Sequence, residues 1–326
     1  MAAGPAPQLQ RKNVVVCCDG TGNQFGTHNT NVIRLFQVIE KNTDTQMAYY
    51  DPGVGTFGSR YQALIGLATG YGITRNIKDA YEYLMNRYED GDHVYLFGFS
   101  RGAYTARALA GMLYKCGLLQ KGSINLMDYA VDIYKTRDNH DVARQFKETY
   151  CRECPVHFIG VWDTVKALIP FSQIARFTDH RLNPQVKFGY HALAIDERRD
   201  PYKPELWDET DLPAHQTIEQ VWFAGVHSDV GGSYLDPGLA DVTLKWMLEN
   251  AQARGLLVKQ EELAKIIPNP YGKLHDSRDG LWNLLPGGPR KIPAGVKVHA
   301  SAFARKENPK SAYNPPNWPQ NVQKVS

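Results

Sequence analysis

Cysteine is scarce in this chain of 326 residues: five in all, at positions 17, 18, 116, 151 and 154. An odd, sparse set excludes a disulfide-framed scaffold and points to a reducing compartment. Long apolar runs are missing too. No stretch approaches the roughly 18 uninterrupted apolar residues that a membrane-spanning helix needs. The opening MAAGPAPQLQRK lacks an apolar core and does not read as a secretory signal. The expectation is a cytoplasmic location, with any export left to a dedicated secretion system. Charge of one sign is not in excess. A formal net charge of +3 is too weak to argue for nucleic acid. There is no G-x-x-x-x-G-K-[ST] phosphate loop and no EF-hand spacing. The single Cys151-x-x-Cys154 pair has no second pair, and His157 adds one more ligand where structural zinc needs four. A strand pattern follows that pair, where a redox motif wants a helix N-terminus. No metal and no cofactor are expected.

An apolar content of 43% and a charged content of 22% allow an ordinary globular core. Short apolar runs at Val14–Cys18, Met47–Tyr50, Val94–Phe97, Val156–Trp162 and Val221–Val226 read as buried strands. Helical patterns fall between them: from Asn29 or Thr30 to about Ile39, Thr74–Tyr88, Ala103–Tyr114, one or two helices over 123–150, Val186–Ala194, and Leu239–Asn250. An edge strand is expected at 295–300. Strands alternating with helices imply an α/β fold, a mostly parallel sheet with helices on both faces. One domain is expected over residues 12–305, with 1–11 and 306–326 as tails. Apolar cover segments are expected near 53–72, which holds six glycines, and near 166–180.

The chemistry concentrates in Val94–Leu109, VYLFGFSRGAYTARAL. A strand pattern runs into Gly98-Phe99-Ser100-Arg101-Gly102, and a helix pattern follows. That context suits a G-x-S-x-G nucleophile elbow, in which the serine sits in a strained turn flanked by residues without side chains. Asp163 ends a second apolar run and His227 a third. Serine needs an imidazole to take its proton, and the imidazole needs a carboxylate to fix its tautomer. The order Ser…Asp…His is that of α/β-hydrolases. Ser100, Asp163 and His227 are the expected triad. His191 competes as the base, with a packing role as its plainer reading. Asp229 and, more weakly, Asp196 compete as the acid. The oxyanion hole is expected from the Arg101 N–H and from Gly20 or Thr21, with Asp19 shaping their loop.

Two rival readings stand beside this one. Asp19-Gly20-Thr21-Gly22 resembles the phosphate-binding turn of sugar-kinase and actin-like ATPases, where the chain returns as a hairpin. A catalytically silent α/β-hydrolase-fold binding module is the other.

Five ordered stretches carry a family resemblance: CCDGTGN (17–23), GFSRGAYTAR (98–107), FIGVWDTV (158–165), HALAIDE (191–197) and FAGVHSDVGG (223–232). Together they resemble the catalytic domain of the type VI secretion phospholipase effectors, over about residues 12–250. The resemblance implies an α/β-hydrolase fold, a Ser-Asp-His triad on Ser100, Asp163 and His227, and hydrolysis of carboxylic esters, with phospholipids as the family's substrates. It further implies a small-molecule ester or lipid substrate and a peripheral contact with membrane. The chain resembles a lone catalytic domain without the appended membrane-anchoring regions of such effectors.

Overall fold

The computed structural model describes residues 11–20, 26, 28–53, 71–165, 181–278 and 286–326. Ten strands are present among them: β1 (Asn13–Cys18), β2 (Gln46–Asp51), β3 (His93–Phe99), β4 (Leu118–Leu119), β5 (Cys151–Arg152), β6 (Val156–Trp162), β7 (Phe188–Ala194), β8 (Thr217–Phe223), β9 (Lys297–His299) and β10 (Gln323–Val325). Eight of them form one sheet in the order β10-β9-β8-β7-β6-β3-β1-β2. Every pairing in that sheet is parallel. Only β4 and β5 form a separate antiparallel ribbon.

Strands buried on both faces explain the unbroken apolar runs. In β1, Val14, Val16 and Cys18 face one core, and Val15 and Cys17 face the other. β3 repeats the division, with Val94 and Leu96 on one side and Tyr95, Phe97 and Phe99 on the other. The first core is closed by helices Tyr71–Arg87, Arg101–Cys116, Met127–Lys135 and His140–Tyr150. Helices Asn31–Val38 and Gly238–Gln252 cover the second. This is an α/β-hydrolase-like fold, as the sequence pattern implied. Thr30 caps the first helix: its Oγ1 accepts from the Ile33 N–H at 3.3 Å.

The sequence reading needs correction in three places. Val186–Ala194 is not helical. Phe188–Ala194 is the interior strand β7, with Tyr190, Ala192 and Ala194 alternating onto the second core. A short apolar run buried on both faces has no periodicity that separates strand from helix. The strand expected near 295–300 is present as β9, but it is not the edge: β10 pairs outside it. Residues 306–326 are therefore not a tail. Beyond supplying β10, they bury Tyr313, and its hydroxyl donates to Asp196 Oδ2 at 2.9 Å. The cover segments expected near 53–72 and 166–180 fall almost wholly outside the described residues, as does Thr21. Among the described residues, no helix is long and apolar enough to cross a membrane.

Candidate active site

Strand order reverses at β1: the chain goes to β2 on one side and then to β3 on the other. In open α/β sheets, ligands bind beyond the carboxyl ends of strands at such a reversal. Cys18 at the end of β1 lies in register with Gly98 of β3, and Phe99 with Trp162 of β6. Asp19-Gly20, Ser100 and Asp163 therefore leave three neighbouring strands at about one level.

Ser100 has φ +59° and ψ −119°. That region is sparsely populated for a residue with a side chain, and holding it costs on the order of 1–3 kcal/mol. Its N–H donates to Trp162 O at 3.0 Å, which ties the turn to β6. Helix Arg101–Cys116 starts at once, so the Arg101 N–H has no preceding helical turn to donate into. Both flanking glycines are required by space. A Cβ on Gly98 would lie 2.5 Å from Gly102 O. One on Gly102 would lie 2.2 Å from Cys18 O and 2.5 Å from Asp19 O.

His227 opens the short helix His227–Gly231, four residues past the end of β8. Its Nδ1 is 2.6 Å from Asp163 Oδ2. Its backbone N–H donates to Glu197 Oε2 at 3.2 Å. Phe99 packs a tilted ring 4.6 Å from the imidazole centroid, and Tyr202 meets it edge-on at 4.9 Å. Two aromatic walls and the Asp163 carboxylate thus fix the imidazole, and Glu197 holds the backbone beneath it.

Asp163 is fully buried, with φ +40°. Besides His227, it accepts from the Ala194 N–H at 3.0 Å and from both terminal nitrogens of Arg290, at 2.6 and 2.8 Å. Burial alone would raise its pKa. The Arg290 charge and the hydrogen bonds from His227 and Arg290 outweigh it and hold the carboxyl well below the usual carboxylate range. With the carboxylate ionised, only a protonated Nδ1 makes the His227 contact, so Nε2 is the nitrogen left to accept a proton.

The competing residues have other tasks. His191 is buried in β7, accepts the Thr164 N–H on Nε2 at 3.1 Å and meets Gln220 Oε1 through Nδ1 at 3.3 Å. Burial and the nearby Arg107 push its pKa down to about 3, so it is a neutral spacer that orients the residue after Asp163. Asp229 holds its own loop: it accepts from the Val226 N–H at 3.1 Å and lies 2.6 Å from His275 Nδ1. Asp196 accepts from the Gly225 N–H at 2.6 Å.

Asp19 shapes the β1 loop as expected. It accepts from Thr30 Oγ1 at 2.6 Å and Tyr50 OH at 2.8 Å. It also takes the Gly20 N–H at 2.7 Å. That last contact corrects the expectation for Gly20, whose amide is already engaged. The phosphate-loop reading loses its basis as well, because the chain after β1 returns as the parallel strand β2 and not as a hairpin. Burial raises the thiol pKa of Cys151 to about 12 and that of buried Cys154 further, so neither is a reactive thiolate.

Sequence reasoning missed Arg290 and Glu197. Arg290 comes from a Pro/Gly-rich stretch with no periodic signal. Glu197 closes the family-like stretch HALAIDE (191–197), but nothing in its spacing marks it as a partner of the His227 backbone. Burial raises its pKa, but the hydrogen bonds and charge of Arg199 bring it to about 2.

Known proteins are similar to this chain in fold and in sequence. A solved structure of an uncharacterized protein from Pseudomonas aeruginosa overlays with a TM-score of 0.53 at 19% identity, covering 80% of this chain and 49% of that one. The Tle1 effector bound to the VgrG spike of the type 6 secretion system overlays at 0.47 and 16% identity, over 80% of this chain and 77% of that one. The uncharacterized protein YEL023C of Saccharomyces cerevisiae is 33% identical over 226 residues, 59% of this chain and 32% of that protein. The chain thus matches about a third of that relative's length. Residues 12–250, about three quarters of the chain, match the family model described as T6SS phospholipase effector Tle1-like, catalytic domain. The chain therefore belongs to the Tle1-like phospholipase effector family, matching its catalytic domain.

Proposed function

We propose that this chain is a serine hydrolase that cleaves carboxylic esters of lipid-like substrates through an acyl-enzyme. The observation that carries the reading is a strained Ser100 at the end of β3, one strand from a buried Asp163 that is hydrogen-bonded to His227. Ser100 Oγ attacks the ester carbonyl while His227 Nε2 takes its proton. Asp163 keeps Nδ1 protonated and balances the imidazolium. The Arg101 N–H, together with a second donor from the β1 loop, holds the oxyanion. Gly20 is committed to Asp19, so Thr21 is the better donor. His227 then returns the proton to the leaving alcohol, and water repeats the sequence on the acyl-enzyme.

Family membership supports a lipid ester as the substrate class, with contact at a membrane surface. One domain built on the eight-stranded sheet suits the reading, since the proposed residues leave adjacent strands of that sheet. The test is a panel of short-chain nitrophenyl esters and phospholipid vesicles run on the wild type and on Ser100→Ala. Ester hydrolysis that disappears in Ser100→Ala supports the reading. Equal activity in both proteins overturns it. A catalytically silent module would hydrolyse nothing in either.

A further inference from the structure

We infer that Arg290 is a positioning residue for the Asp163–His227 pair, delivered by a C-terminal segment outside the catalytic-domain match. This rests on reading Ser100, Asp163 and His227 as the triad. The family model ends at residue 250, forty residues before this guanidinium. Arg290 is buried, and its two terminal nitrogens reach the two oxygens of Asp163 end-on, at 2.6 and 2.8 Å. It also donates to Ala194 O at 2.8 Å and to Tyr202 O at 2.5 Å. Tyr202 is the residue whose ring meets His227 edge-on. One side chain thus fixes the acid, the strand end beside it and a wall of the imidazole pocket. The segment is itself anchored: Asn317 Nδ2 donates to Arg290 O at 3.1 Å and to Ile195 O at 3.0 Å.

The arrangement fills the acid's hydrogen-bonding capacity. A carboxylate offers about four lone-pair positions. On Asp163, Oδ1 takes Ala194 N–H and Arg290, and Oδ2 takes His227 and Arg290. Without Arg290, a fully buried carboxyl would have only the His227 and Ala194 hydrogen bonds to set against the cost of desolvation. Once protonated, it would no longer accept only, and His227 would lose the contact that fixes its tautomer. The other ionisable neighbours are themselves engaged. Glu197 under the His227 backbone is paired with Arg199 at 2.8 Å. Asp229, on the same short helix, is paired with His275. His191, next to Asp163 in the sheet, is held neutral. Arg290 is the cation in direct contact with the acid.

Arg290→Met removes charge and fork, and Arg290→Lys keeps the charge alone. The acid limb of kcat/KM for nitrophenyl ester hydrolysis should move to higher pH by on the order of one to three units in Arg290→Met, and by less in Arg290→Lys. At the pH of the wild-type midpoint, Arg290→Met should lose about tenfold or more, but little further when added to Asp163→Asn, because the two act as a unit. A role confined to tethering the C-terminal segment gives other results: an unmoved limb and the same fold-loss in both backgrounds. Those results overturn the inference. If Arg290→Met does not fold, the limb of Arg290→Lys decides.

A second readout needs no turnover. The downfield proton resonance of His227 Nδ1–H, assigned by its loss in His227→Gln, should vanish at higher pH in the Arg290 variants than in the wild type. Persistence to the same pH overturns the inference. If the wild type shows no Ser100-dependent hydrolysis while this resonance behaves as expected, the hydrolase reading fails and the role of Arg290 stands.

Discussion

Gly102→Ala should inactivate the protein more than it destabilises it. The added Cβ would sit 2.2 Å from Cys18 O and 2.5 Å from Asp19 O, and real Cβ contacts essentially never fall below 3.0 Å. Both obstructing atoms are backbone, so no side chain can swing away. Helix Arg101–Cys116 must retreat from the end of β1 by about 0.8 Å. Ser100 is the residue before that helix, so it moves with the helix, while Asp163 and His227 stay just beyond β6 and β8. Overpacking of this kind costs about 1–3 kcal/mol. A misplacement near 1 Å at reacting atoms costs on the order of 100-fold in rate. The assay pairs kcat/KM on a short-chain nitrophenyl ester with the urea midpoint. Gly288→Ala serves as the control, because a Cβ there meets nothing within 4 Å; it should leave both readings where they are. A Gly102→Ala protein that keeps wild-type stability and activity within about twofold would refute the close-approach argument.

Three further outcomes follow. Ser100→Gly should be inactive yet more stable by about 1 kcal/mol, since glycine relieves the φ of +59° while adding some unfolded-chain entropy; a loss of stability in urea melts would contradict the strain assignment. His191 is neutral when folded, with its pKa pushed down to about 3, against about 6.5 when unfolded. Between those values the unfolded chain binds the extra proton, so this residue removes about 1.4 kcal/mol of stability per unit as pH falls below 6.5. His191→Gln should flatten that acid slope, and an unchanged slope would place the proton uptake elsewhere. Glu197 works with the opposite charge: its folded value of about 2 lies below the ordinary 4.5. Its contribution, about 3 kcal/mol, is present above pH 4.5 and lost as pH falls toward 2. Glu197→Gln should lower the urea midpoint at neutral pH and lose less than the wild type on acidification; equal losses would sink the assignment.

Much of this site was readable because each feature had a local cause. The run Val94–Phe97, the two glycines around Ser100 and the helix pattern after them each answer to one physical constraint, and the packing shows the contact behind it. Asp163 and His227 drew attention for the same reason, as lone polar residues where apolar strands end, and the fold brings their side chains into contact. What stayed hidden depends on distant partners. β7 could not be told from a helix because both its faces are covered, so no polar alternation marks it. The last residues looked like a tail because their short strand β10 exists only through pairing with β9. Arg290 gave no signal because its partner lies 127 positions away, in a strand end it reaches only once the sheet has formed. The role of Gly20 turned on a single hydrogen bond to the preceding side chain, which spacing cannot reveal.

The central claim is that Ser100 is a nucleophile activated by His227. The most direct measurement is fluorophosphonate labelling, with the modified residue located by peptide mass spectrometry in the wild type, Ser100→Ala and His227→Gln. The account expects one label, on Ser100, absent from Ser100→Ala and slowed on the order of 100-fold or more in His227→Gln. No label on the wild type, a label on another residue, or undiminished labelling of His227→Gln would contradict it.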